Sequence, residues 1–165
     1  MKTYITYGHG NTLNLDKIPR LQDLQLEYIN TGECNNKVKN TLWGSPVDSR
    51  FSWKEFCYSE NFLLTEEHFQ THFLWTMKNN SKILTIETLN DLEKVPFIID
   101  NDFGCIFGAC IDFNTIVKDG YVAIELSHEV MPIGHMFTGN LKEEAFYCWD
   151  CSSIMVLDKD YIVPL

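Results

Sequence analysis

Residues 66–92 read EEHFQTHFLWTMKNNSKILTIETLNDL, and the period of their apolar positions decides the fold class. From Glu66 to Met77 the spacing is two. Phe69, Thr71, Phe73, Trp75 and Met77 share one side, and His68, Gln70, His72, Leu74 and Thr76 the other. That alternation predicts one continuous strand, because successive side chains of an extended chain point to opposite faces. Asn79, Asn80 and Ser81 are turn formers and Lys82 to Ile86 is a second β-rich run, so the two runs predict a hairpin. Thr88 then precedes a short helical pattern around Asp91 and Leu92 that stops at Pro96, which cannot continue a helix.

Working outward gives more of the same mixture. Residues 2–7, KTYITY, alternate β-formers and run into the turn Gly8-His9-Gly10-Asn11. The segment 11–41 is polar, with Pro19, Gly32 and Asn35-Asn36, and predicts a short helix and a loop. Leu42 and Trp43 close a short strand, and Ser45-Pro46 turns the chain. Ser52 and Glu55 have capping-box spacing ahead of a helix that places Trp53, Phe56 and Cys57 on one face. In 111–126, Asp112 opens a helix, Asp119-Gly120 ends it, and Tyr121 to Leu126 reads as a buried strand. Residues 127–147 carry Pro132, Gly134 and Gly139 and read as irregular, before a last strand from Ser153 to Leu157. No repeat or low-complexity linker divides the chain, so residues 1–165 are expected to form a single α+β domain.

The composition narrows what such a domain does. Hydrophobic residues are 45% and aromatics 13% of the 165 residues, enough apolar surface for a packed core. Thirteen Lys and Arg against 23 Asp and Glu give a formal charge of −10, which repels phosphate backbones and argues against direct nucleic-acid binding. That acidity reads either as ordinary solubility or as mimicry of nucleic acid toward a basic partner. No stretch of apolar residues is long enough to span a bilayer, and MKTYITYGHG lacks a signal-peptide pattern, so a soluble, cytoplasmic protein with no membrane association is expected. Its six cysteines are then expected to be reduced. Cys148 and Cys151 form one CxxC with no second pair, which does not make a zinc knuckle, and no metal site is expected. His68 and His72 are four apart, but on a strand they read as solvent-facing residues.

Walker, GxGxxG, GxSxG and HExxH patterns are absent. The order of the segments is more specific. Tyr7-Gly8-His9-Gly10 at the end of a first strand is similar to a Tyr-His-Gly type motif. Leu42-Trp43-Gly44-Ser45-Pro46 followed by Phe51-Ser52-Trp53 is similar to a Gly-Leu-Tyr-Phe-Ser segment leading into an aromatic helix. The run from His72 to Leu92 resembles a strand, polar turn, strand and short helix. Asp150 ahead of SIMVLDKDYIVPL (153–165) is similar to an acid preceding the closing strand. In this order the chain resembles the ADP-ribosyltransferase-like family, over most of its length except 11–40 and 127–147. It departs from the family in the separation of Tyr7 from His9, and in an Asp where a Glu is usual.

The resemblance implies a split β-sheet core with short flanking helices, in which the first and final strands are neighbours. It further implies NAD as the cofactor, with Asp150 and His9 as the catalytic pair. Tyr7, His9, Trp43, Ser45, Trp53 and Tyr58 would bind it: aromatic planes around the nicotinamide ring, His9 on the adenosine ribose, and Ser45 on the nicotinamide ribose or on the acid. The partner would be a protein target, plausibly a host or defence complex met by a small phage or bacterial enzyme. Each residue also has a plainer reading. Trp43, Trp53 and Tyr58 suit a core, Asp150 suits a turn cap, and Glu125 is an alternative acid expected on the solvated side of its strand. Two other functions stay open: a sensor that binds NAD or ADP-ribose without chemistry, and a non-enzymatic inhibitor that binds a host complex through Asp48, Glu55, Glu60, Glu66 and Glu67.

Overall fold

The computed structural model describes residues 1–8, 13–23, 38, 40–62, 66–99, 109–130, 139–146 and 149–165. The elements are β1 (Thr3–Tyr7), β2 (Leu42–Pro46), α1 (Trp53–Ser59), α2 (Glu66–Gln70), β3 (His72–Met77), β4 (Ile83–Ile86), β5 (Phe97–Ile99), β6 (Ala109–Ile111), α3 (Phe113–Lys118), β7 (Ala123–Leu126), α4 (Leu141–Glu144), β8 (Ser153–Val156) and β9 (Ile162–Pro164). Short 3-10 turns lie at Leu15–Lys17, Leu21–Asp23, Leu89–Lys94, His128–Val130 and Lys159–Tyr161. This is a mixed fold with one large mixed sheet and a few short helices, as the α+β expectation has it in outline. Local chemistry accounts for many of the boundaries. Ser52 and Glu55 form the expected capping box on α1, Thr88 and Asp91 form another, and Asp112 caps α3 through the Thr115 N–H. Gly120, at φ +83°, follows α3 in the left-handed conformation that ends helices at low cost.

Seven strands form one sheet in the order β4-β7-β8-β2-β1-β3-β9, and β5 pairs with β6 separately. The middle strand changes partner halfway. Leu42, Trp43 and Gly44 pair with Val156, Met155 and Ile154 of β8, whereas Ser45 and Pro46 pair with Ile5 and Tyr4 of β1. Two half-sheets therefore meet along β2 and part beyond it, because β1 runs on through Thr6 and Tyr7 paired to β3 alone. On one face of the sheet Leu84, Ile86, Ile124, Leu126 and Met155 pack with Ile116, Phe146 and Trp149. On the other, Tyr4, Phe73, Trp75, Ala123 and Val156 pack with Ile18.

Several expectations are corrected. Residues 66–70 are the helix α2, and only 72–77 are strand. Phe69 is the one buried residue of that helix, and Glu66 and Glu67 sit in its first turn, where the helix dipole favours them. The period of two before His72 rested on Thr71 counted as apolar. β3 and β4 make no hairpin: both edges of β3 are taken by β1 and β9, and β4 pairs in parallel with β7. β1 and β8 are not neighbours, since β2 lies between them. Ser45 and Pro46 belong to β2 instead of turning the chain, and the last strand is β9, which ends in Pro164 at the sheet edge, where a missing N–H is tolerated. Cys110 is disulfide-bonded, to a partner outside the described residues, against the expectation of reduced thiols. Compartment arguments do not register which sulfurs the fold makes neighbours.

Glu125 does not face solvent. It is 5% exposed, accepts a hydrogen bond from the Tyr4 hydroxyl at 3.1 Å, and pairs with the Lys2 ammonium at 2.5 Å. The Tyr4 ring stacks on Trp75 at 4.8 Å between centroids. Burial, and then the Glu125 charge, push the Tyr4 phenol well above its ordinary value. A raised folded-state value means that stability is complete below the unfolded phenol value of about 10 and is lost as pH rises above it. Thermal melts should therefore show Tm falling above about pH 10, with a shallower fall for Tyr4→Phe, which also costs about 1–3 kcal/mol near neutral pH by removing a donor from a buried carboxylate. At Gly44 an added Cβ would sit 2.7 Å from Cζ2 of Trp75 and 3.2 Å from the Ile5 carbonyl oxygen. Gly44→Ala should lower stability by about 1–3 kcal/mol in urea titrations.

Candidate functional site

Where β1 and β2 part, a cleft of about 680 Å³ opens, within the size range of small-molecule sites. Ile5, Thr6 and Tyr7 form one wall, and Leu42, Trp43, Gly44 and Ser45 the other. The floor is fixed by hydrogen bonds. Thr6 Oγ1 donates to the Trp43 carbonyl at 2.6 Å and accepts from Trp75 Nε1 at 3.0 Å, so one hydroxyl links three strands at the point of divergence.

The cleft gathers five of the residues singled out in the sequence. Tyr7, Trp43, Ser45, Trp53 and Asp150 all line it. Trp43 is half-buried, with its indole edge-on to Trp149 at 4.6 Å and its Nε1 donating to Thr41 Oγ1 at 3.1 Å. Ser45 is buried and its Oγ accepts from the Trp53 N–H at 3.0 Å, which seats the start of α1 against β2. Trp53 packs on Phe56 at 5.5 Å and on Phe62 at 6.2 Å, and it lines the cleft. Tyr7 is held edge-on to Phe69 at 5.4 Å, and burial together with the nearby Glu55 charge raises its phenol. Glu55 is itself held below the usual carboxylate range: partial burial works to raise it, but hydrogen bonds from the Ser52 hydroxyl and N–H prevail.

Two of the expected residues stand elsewhere. Tyr58 does not line the cleft; it is 48% exposed on the outer side of α1 and donates to Glu66, a bond that pushes its phenol up to about 12. His9 lies outside the described residues, and so does Cys148 of the CxxC. Its partner Cys151 is buried on the cleft wall and is not in a disulfide. Among the described residues there is no cluster of His, Cys, Asp or Glu able to hold a metal, and no helix is long and apolar enough to cross a membrane.

No family model, curated protein or solved structure matches this chain. The chemistry of the cleft therefore rests on its own residues. Thr6, Trp149 and Lys17 line it and were given no role from the sequence, and His68 was given a different place. Trp149 directly precedes Asp150, and its position one residue from an acid was the available signal. Thr6 carried none, because its role comes from a bond to a residue 69 positions away. His68 was assigned to a solvent-facing strand, and α2 instead brings its ring to the cleft beneath Gly8.

Gly8 has φ +81°, its N–H donates to the Thr71 carbonyl at 2.9 Å, and an added Cβ would overlap the His68 imidazole. Both the backbone conformation and the lack of space require glycine. Gly8→Ala should displace the end of β1 or α2, costing about 1–3 kcal/mol in a urea titration and changing the fluorescence of Trp43 and Trp53 in the folded protein.

Proposed function

We propose that the cleft binds NAD and that the protein transfers ADP-ribose from it to a macromolecular target, as the resemblance to ADP-ribosyltransferase-like enzymes implies. The reading includes their split-sheet core, for which the change of partners along β2 is the supporting feature. The observation that carries the reading is convergence. Tyr7, Trp43, Ser45, Trp53 and Asp150 come from three separate stretches of the chain and line one cleft.

The residue types suit the donor set such a reaction needs. Cleavage of the bond between nicotinamide and ribose leaves the electron pair on the departing nicotinamide nitrogen and positive charge on the sugar. A carboxylate at Asp150 stabilises that charge, and its effect grows in a cleft walled by aromatic rings. The Trp43 and Trp53 rings offer flat surfaces for the nicotinamide. Ser45, whose oxygen already accepts from the Trp53 N–H, has its own O–H to donate to the ribose. His9, next to Gly8, would hold the adenosine ribose. The target's nucleophile then bonds to the ribose carbon and gives up its proton. Because Asp150 is one methylene shorter than the glutamate usual in the family, the sugar must approach the backbone of the 149–151 segment closely.

Incubating the protein with labelled NAD and a cell lysate should label one or a few proteins. Asp150→Asn should lower the rate by about 10²–10³-fold, the cost of removing one preorganised charge-stabilising group, while leaving NAD affinity within a few-fold. Equal labelling by both proteins, or no NAD binding in calorimetry, would count against the proposal.

A second reading, an inhibitor that engages a basic host complex through its acidic side chains, has one feature in its favour. The carboxylates of Glu55 and Glu66 both act on the Tyr58 phenol on the outside of α1, next to the exposed Glu60 and Glu67. Asp48 acts instead on Tyr4. Binding to a basic partner that weakens steeply with salt and is lost on Glu66→Lys would favour this reading over the transferase.

A further inference from the structure

The cleft is lined by residues that belong to the clusters on both faces of the sheet, and its charged lining includes Asp150 and Lys17. Trp149, next to Asp150 in the chain, packs on Trp43 in the cluster with Phe146 and Met155. Leu13, Asn14, Lys17 and Ile18 also line the cleft, and Ile18 packs with Leu42, Phe73 and Trp75 on the other face. Lys17 is the only Lys or Arg among the described residues lining the cleft. It is exposed and forms no ion pair with any described residue, whereas Arg20, three positions on, is engaged with Asp160 at 3.5 Å.

The backbone that carries Lys17 is clamped. Asn14 caps the 3-10 turn Leu15–Lys17 by accepting from the Asp16 N–H, the Ile18 N–H donates to the Leu15 carbonyl, and Ile18 is buried. From the C-terminal segment, the Lys159 ammonium donates to the Leu15 carbonyl at 3.1 Å and its N–H to the Pro19 carbonyl at 3.3 Å. Lys17 is thus a cation carried on a fixed turn that lines the cleft, in a chain of net charge −10.

We propose that Lys17 is the phosphate-holding residue of the cleft, so that the ligand threads the gap with its diphosphate beside Lys17 and its reacting sugar beside Asp150. The assignment rests on the NAD reading for the identity of the ligand, but the selectivity it sets is broader: nucleoside diphosphates and their esters are retained and uncharged nucleosides are not. An ammonium paired with phosphate is a charge-assisted contact that salt screens.

Calorimetry with the full chain tests this, using NAD, ADP and adenosine as probes against the wild type, Lys17→Ala and Lys17→Arg. NAD and ADP should bind the wild type more weakly as salt rises. Lys17→Ala should weaken both by about tenfold, Lys17→Arg should recover most of the loss, and any residual adenosine binding should be indifferent to all three. Because Lys17 is exposed, both variants should keep the wild-type Tm. NAD binding that is unchanged in Lys17→Ala overturns the assignment while leaving the NAD reading in place. Lys17-dependent binding of ADP without binding of NAD keeps the assignment and removes NAD as the ligand. Failure of NAD and ADP alike to bind the wild type overturns both.

Discussion

Everything that positions the cleft depends on how β2 divides its hydrogen bonds. A strand in the middle of a sheet normally pairs along its whole length on both edges, and its neighbours stay parallel or antiparallel to each other through it. Here the ladder to β8 ends at Gly44 and the ladder to β1 begins at Ser45, so the two half-sheets share only a point of attachment. Twist then carries the far ends of β1 and β2 apart. Left there, the diverging backbones would expose unpaired polar groups. Thr6 meets that need by donating to the Trp43 carbonyl and accepting from the Trp75 indole. The absence of a side chain at Gly44 leaves Trp75 the room to lie under it.

The other end of the seam is closed by different chemistry. Tyr4 stacks on Trp75 and reaches across to Glu125 of β7, in the other half-sheet, and Lys2 completes the pair. A buried carboxylate with two donors is expensive to break, because removing one partner leaves the charge poorly compensated. The two halves are therefore tied at the Tyr4 and Pro46 end and free to part at the Tyr7 and Leu42 end. A hinge closed on one side gives a cleft whose width is set by rigid elements, which is what holding a ligand in a reactive geometry requires.

The features legible in the sequence are those written into adjacent residues. The capping box at Ser52 and Glu55, the cap at Asp112, the stop at Gly120 and the alternation of Phe73, Trp75 and Met77 each depend on neighbours a few positions away, and each appears as read. The pairing of strands was less accessible. The turn at Asn79-Asn80 does reverse the chain after β3, yet β4 leaves for β7 because β1 and β9 already occupy both edges of β3. Nothing local to residues 78–86 encodes that competition. Glu125 shows the same limit: its alternation with Ile124 and Leu126 gives a face, but only the Tyr4 and Lys2 groups on distant parts of the chain make that face a buried one. Of the site, Trp43, Ser45, Trp53 and Asp150 were visible as chemistry-bearing residues near turns and caps. Tyr58 looked equivalent to Trp53 by helical position, and the distinction between cleft and outer surface came from the packing of α2 against α1.

The cleft brings two partly buried tryptophans together with an acid and a lysine. Trp43 and Trp53 are only partly buried, whereas Trp75 and Trp149 lie fully inside; a ring this large commonly keeps part of its surface accessible. Their indoles are instead held in place from behind, Trp43 by Trp149 and Thr41, Trp53 by Phe56 and the Ser45 hydroxyl that fixes its backbone. Apolar ring surface that stays partly accessible in a cleft is surface that an entering flat ring would cover. Asp150 and Lys17 both line the cleft, and a positive group and a negative group on one entering molecule are each favoured beside only one of them. Aromatic walls supply contact area without orientation, and the two charges supply orientation without much affinity, so the two kinds of group act on different parts of any molecule that enters.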